Sequence, residues 1–144
     1  MSRLFKVLCL ILVVFSLFPS TALAGSRGVK KSSQVDWEPV MAAIIQVESN
    51  GRSNAQNGNQ CGAMQITPIL VAECNNILKA RNSKKRYTLS DRFNIQKSKE
   101  MFLLIQSHHN PENNVERAIR SWNGGLQYSV RATQRYFEKV MSYL

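Results

Sequence analysis

From Val35 to Leu144 no run of the chain alternates apolar and polar residues with period two, whereas apolar residues recur at steps of three and four. A half-buried sheet needs the first pattern and an amphipathic helix the second. The expected fold is therefore mainly α or α+β: a compact single helical domain with room for one small hairpin. The first helix opens at Asp36-Trp37-Glu38-Pro39, with Asp36 as N-cap and a proline tolerated in the first turn. Thr67-Pro68 opens a second, running to about Leu78, and Ser90 or Asn94 caps a third that reaches about Ser107 and stops at Asn110-Pro111. Val115, Ala118, Ile119 and Trp122 mark a short fourth helix ending at Asn123-Gly124-Gly125. A last helix, from about Gln127 to Tyr143, carries Tyr128, Ala132, Tyr136, Val140 and Tyr143 along one side. Ser49 to Cys61, rich in Asn, Gly, Ser and Gln, has turn chemistry and reads as an ordered loop or short hairpin. Lys79 to Arg86 reads as a solvated basic connector.

The N-terminal residues limit the size of that domain. Arg3 and Lys6 precede an apolar run from Val7 to Phe18, Pro19 breaks it, and Ala22-Leu23-Ala24 forms a cleavage site, which together make a secretory signal over residues 1–24. The run is short of the roughly 20 residues a membrane span requires. Export leaves a polar, basic lead-in over residues 25–34 and one small domain over residues 35–144, in the periplasm or outside the cell. The formal charge of +10 falls to +8 once Arg3 and Lys6 are removed. Such a surface suits an anionic partner, and export ranks nucleic acid last among the candidates. A monomer is the default.

Glu48 is the residue most suggestive of chemistry. Trp37, Met41, Ile44 and Glu48 lie at steps of four, three and four, so its carboxylate ends the stripe that faces the core. Desolvation there raises a carboxyl pKa toward what a proton donor needs near neutral pH. The bland alternative is a glutamate swung out to solvent at a helix end. Cys61 and Cys74 remain after cleavage in a compartment that permits disulfides, so they form either a bridge or two buried thiols. No metal is expected, because adjacent residues such as His108 and His109 do not share a helix face and no Cys or His spacing resembles a zinc site.

Three segments stand out in order: Val47-Glu48-Ser49, Gly62-Ala63-Met64-Gln65-Ile66-Thr67-Pro68 and Ser121-Trp122-Asn123-Gly124-Gly125. Together they resemble the Glu-Ser pair, Gly-x-Met-Gln-Ile-x-Pro stretch and Tyr-Asn-x-Gly turn of the soluble lytic transglycosylase catalytic domain, in the lysozyme-like superfamily. The resemblance covers Trp37 to Leu144. It implies cleavage of the MurNAc-GlcNAc β-1,4 bond of peptidoglycan, with Glu48 as single acid and base, a 1,6-anhydro product and no metal or organic cofactor. It also implies that Gln65, Met64 and Asn123 meet the glycan strand, the plainer readings being a loop amide, a core methionine and a helix stop, and that Ser49 is structural support at the helix end. Small one-domain relatives often open the wall for a secretion, conjugation or phage assembly, which is the partner the resemblance suggests.

The chain departs from that pattern in places. Trp122 stands where the family has tyrosine, which keeps a stacking surface and an N–H donor but loses the phenol; Tyr128 is the candidate to replace it. Asn57 is a candidate polar contact in the altered loop before Gly62, and Cys61 directly before Gly62 favours the disulfide. The alternative functions are a lysozyme-type hydrolase, a non-catalytic wall-binding module and a cationic membrane-disrupting protein. An inverting hydrolase needs a second carboxylate to position water, for which Asp91, Glu73 and Glu100 are the candidates.

Overall fold

The computed structural model describes residues 35–144, so the secretory signal and basic lead-in expected from sequence lie outside the described residues. Their order is α1 (Glu38–Ser49), β1 (Gln56–Asn57), β2 (Gln60–Cys61), α2 (Pro68–Ala80), a 3-10 turn (Leu89–Phe93), α3 (Ile95–His109), α4 (Val115–Gly124) and α5 (Val130–Met141). The fold is thus mostly helical with one small antiparallel hairpin, as the periodicity indicates.

Local chemistry sets most of the element ends. Asp36 Oδ1 accepts the Glu38 N–H (3.0 Å) at the entrance to α1, although the residue at the cap position itself is Trp37. Thr67 caps α2 through the Leu70 N–H, Asn94 caps α3 through Lys97, and Asn114 caps α4 through Arg117. Ser90 is not a cap of α3: Thr88 and Asp91 form a reciprocal capping box that makes the separate 3-10 turn. α5 begins three residues later than its apolar spacing suggests, because Ser129 accepts the Ala132 N–H and fixes the start at Val130.

The core lies between all five helices. Met41, Ile44, Met64, Ile66, Met101, Phe102, Ile119 and Val140 are almost wholly buried. Phe102, at the middle of α3, packs against Trp37 (ring centroids 5.7 Å apart) and Trp122 (5.2 Å), so one ring joins α1, α3 and α4. Arg120 ties α4 to α5: its buried guanidinium donates to Val130 O, Thr133 Oγ1 and Gln134 Oε1, pairs with Glu116, and lies over the Phe137 ring.

The segment between α1 and α2 folds as two successive tight loops. In the hairpin, Gln56 pairs with Cys61 and Asn57 with Gln60, and Gly58 at the first turn position has φ +60°. Cys61 then exchanges both backbone hydrogen bonds with Ile66, closing the loop Gly62–Gln65. That loop is pressed against the 3-10 turn. A Cβ on Gly62 would lie 1.7 Å from Arg92 O, and φ there is +78°, so both space and backbone require glycine. Arg92 reaches back across the contact, donating to Asn59 O (2.9 Å) and Ile66 O (3.3 Å).

The two cysteines of this unit are free, which corrects the disulfide reading. Cys61 faces Gln56 Nε2 (3.8 Å) at the hairpin, whereas Cys74, on α2, points to Met101 O (3.8 Å) on α3. Each thiol is buried in its own surroundings, and burial followed by the neighbouring Glu73 charge pushes the Cys74 thiol up to about 12.

Candidate active site

Glu48 occupies the last turn of α1, where Asn50 ends the helix in the left-handed conformation (φ 51°). Its Oε1 accepts a hydrogen bond from the Tyr136 hydroxyl of α5 (2.7 Å). Among the described residues Oε2 has no hydrogen-bond partner, and it is not a buried unsatisfied atom, so it is open to the cleft. Burial raises the Glu48 pKa above the ordinary carboxylate value, while the Tyr136 bond and the Lys139 charge act in the opposite direction. Tyr136 is itself held neutral, its pKa raised by burial and then by the Glu48 charge.

Two cavities meet at this carboxylate. The first, of about 550 Å³, is lined by Glu48, Gln65, Thr67, Ile69 and Glu73, by Trp122, Asn123 and Leu126, and by His109. The second, of about 470 Å³, extends from Glu48 over Arg52, Asn54, Gln56 and Asn57. Glu48 and Gln65 line both. The first volume is in the usual range for small-ligand sites, and the two cavities make a cleft with Glu48 at its waist.

The other residues singled out from sequence separate into cleft and frame. Gln65 has φ +52° and an almost buried side chain whose Nε2 donates to Gly62 O (2.9 Å) and Ala55 O (3.4 Å). Its amide donors are thereby committed to the loop, and its carbonyl oxygen is the group left for a ligand. Met64 is fully buried in the core and lines neither cavity. Ser49 is frame as well: its hydroxyl donates to Ala63 O (2.8 Å), fastening the end of α1 to the Gly62 loop. Trp122 lines the cleft, but its Nε1 donates to Met64 O (3.2 Å), so the indole offers a surface and no free donor. Asn123 is exposed in the first cavity and Asn57 in the second.

The phenol beside the acid belongs to Tyr136 and not to Tyr128, which lines neither cavity. Periodicity placed Tyr136 on the apolar side of the last helix. The missed signal was its hydroxyl, which a half-buried tyrosine has to pair with something. Glu73, Gln60, Ile69, Leu126 and His109 are further cleft residues that no motif marks. Of the three carboxylates considered for a second catalytic role, Asp91 is taken up by the capping box and Glu100 by Lys85 and Tyr87; Glu73 is in the cleft, bonded to His109.

Comparison with known proteins agrees with the motif reading. The model of the transglycosylase SLT domain matches residues 27–142. Searches of curated proteins and of solved structures return no match. The matched span covers most of the chain and includes Glu48, the Gly62–Pro68 stretch and the Trp122–Gly125 turn. The chain therefore belongs to the transglycosylase SLT domain family, the glycan-cleaving lytic transglycosylases of the lysozyme-like superfamily, which act on peptidoglycan.

Proposed function

We propose that this protein is an exported lytic transglycosylase that cleaves the MurNAc-GlcNAc β-1,4 bond of peptidoglycan, with Glu48 as both acid and base. The observation that carries this reading is the position of Glu48 at the junction of two cavities, with a raised pKa and one oxygen unpaired. A glycan strand laid along the cleft would put a sugar in each cavity and the linking oxygen beside Oε2. Protonated Glu48 gives its proton to that oxygen as the bond breaks through an oxocarbenium-like state. The carboxylate so formed then takes the proton of the C6 hydroxyl of the same muramoyl residue, whose oxygen closes the 1,6-anhydro ring on C1. Proton count and charge return to their starting values, so one carboxylate serves both steps.

The neighbours fit these steps. The Tyr136 hydroxyl donates to Oε1 and stabilises the carboxylate between the two proton transfers, while leaving Oε2 free. Gln65 Oε1 can accept the N–H of an acetamido group, and the Trp122 ring and Leu126 offer apolar surface to a sugar face. Asn123 and Asn57 supply polar contacts on either side of the acid. The basic charge of the chain favours the anionic wall, and the secretory signal delivers the enzyme to it. Local wall opening for a secretion, conjugation or phage assembly is the role proposed for an enzyme of this size.

Glu73 keeps a hydrolytic reading in play, since it is a second carboxylate lining the same cavity as Glu48. Mass spectrometry of purified peptidoglycan digested with the protein separates the two. Anhydro-muropeptides, lighter by one water than hydrolysed products, are expected. Reducing-end muropeptides would replace the transglycosylase by a hydrolase, and binding to the wall without cleavage would replace it by a wall-binding module.

A further inference from the structure

The chain has two histidines; His109 bonds a carboxylate that lines the cleft, and His108 stands beside the pair. Glu73 comes from α2, and His108 and His109 are the last two residues of α3. His109 Nε2 lies 2.8 Å from Glu73 Oε1, and the His108 ring stands edge-on to that of His109 at 4.5 Å between centroids. One ligand atom from each of the three residues lies within 4.8 Å of the others. Adjacent helical residues diverge by about 100°, yet these imidazoles approach each other. Among the described residues Glu73 has no ionic partner but His109.

We propose that Glu73, His108 and His109 form a site for one divalent transition-metal ion of the zinc class. Two imidazole nitrogens and a carboxylate are the borderline donor set such an ion takes, with water or another ligand in the fourth position. Tetrahedral coordination with bonds of about 2.0–2.2 Å separates ligand atoms by roughly 3.4 Å. The present spread has only to contract, and His108 is exposed and free to turn inward. The site also lies at the C-terminal end of α3, where unpaired carbonyl dipoles favour a cation. Arg117 is nearby, but it is fixed to the His109 carbonyl (3.2 Å) and not to the imidazole.

Because Glu73 and His109 line the first cavity, a bound ion adds bulk and charge where a sugar would lie, and so inhibits cleavage. This consequence rests on the glycan reading of the cleft; ion binding does not.

The test is calorimetric titration of the protein, free of any polyhistidine tag, with zinc chloride. Imidazole nitrogen NMR is recorded in parallel, since it reports just the two histidines. The site requires one ion per chain, movement of both histidine signals, and affinity at least about tenfold weaker in His108→Ala and in Glu73→Gln. His108 lines neither cavity, so its replacement leaves the fold and the cleft intact. Absence of saturable binding, or undiminished binding in folded His108→Ala, overturns the site. Zinc should slow peptidoglycan cleavage by the wild type and not by His108→Ala. Zinc bound through both histidines without any effect on cleavage overturns the inhibition, and the same binding in a protein that cleaves no peptidoglycan at all refutes the glycan reading while supporting the ion site.

Discussion

Tyr136 and Glu48 show how a single tertiary contact can tune a largely buried carboxyl group. The hydroxyl stabilises the charged carboxylate, so it holds the Glu48 pKa below the level that burial alone would give. Tyr136→Phe removes that hydrogen bond without changing the ring, and the Glu48 pKa then rises further. The first step of the proposed reaction needs the protonated acid, so activity declines as pH rises through that pKa. The alkaline limb of the pH–rate profile on peptidoglycan should consequently move to higher pH in Tyr136→Phe; an unmoved limb, or one displaced downward, would contradict the role given to the phenol. The place of Glu48 at the inner end of α1 was legible in the sequence, because the helical stripe that faces the core ends on it. Its partner was not: the two residues are 88 positions apart, and the period that puts Tyr136 on the inner side of α5 carries no information about which side chain it meets there. Met64 shows the converse, a motif residue whose side chain belongs to the core while its carbonyl holds Trp122.

At the scale of elements, the link between α1 and α2 is set by packing that no local pattern reports. The turn chemistry of Ser49 to Cys61 was readable, and so was a hairpin. The approach of the 3-10 turn to Gly62 was not, because it depends on Arg92, thirty positions further along the chain, reaching back over the loop. Gly62→Ala should therefore destabilise at or beyond the upper end of the about 1–3 kcal/mol typical of overpacking. Gly58→Ala meets no atom within 4 Å and carries only the backbone cost of its positive φ, about 1 kcal/mol. Urea unfolding of the two variants checks the contrast; equal losses would mean that the Gly62 contact yields easily. The helices α3 to α5 were legible from their apolar spacing, and Asn94 as the cap of α3; the Ser129 cap, which sets the start of α5, was not. Of the two caps read for α3, Asn94 is the one used, and Ser90 lies inside the 3-10 turn that Thr88 opens.

Across the described residues, stability comes from one aromatic-centred core and two buried arginines that join neighbouring elements. Phe102 joins three helices, Arg120 joins α4 to α5, and Arg92 joins the hairpin to the 3-10 turn. Among the described residues no disulfide contributes, since Cys61 and Cys74 are buried in different contacts. Thermal unfolding should thus be unchanged by reductant, and thiol reagents should react with these two cysteines only as the protein unfolds. A fall of several degrees in Tm on reduction would contradict the free thiols. Compartment and spacing made a bridge reasonable from sequence, but pairing requires side chains to face each other, and that is decided by how α2 lies on α3. The same helix pair brings Glu73 to His109, a contact that no spacing in the sequence marks.

The central claim, that Glu48 alone supplies acid and base at the waist of a glycan cleft, is tested most directly by digesting peptidoglycan with the wild type and with Glu48→Gln and analysing both digests by mass spectrometry. The amide still accepts from Tyr136, so the variant stays folded, which circular dichroism checks. Anhydro-muropeptides from the wild type, reduced by about 10²–10⁴-fold in the variant, are the predicted result. Wild-type levels of anhydro-muropeptides from Glu48→Gln would place the catalytic acid elsewhere and contradict the account.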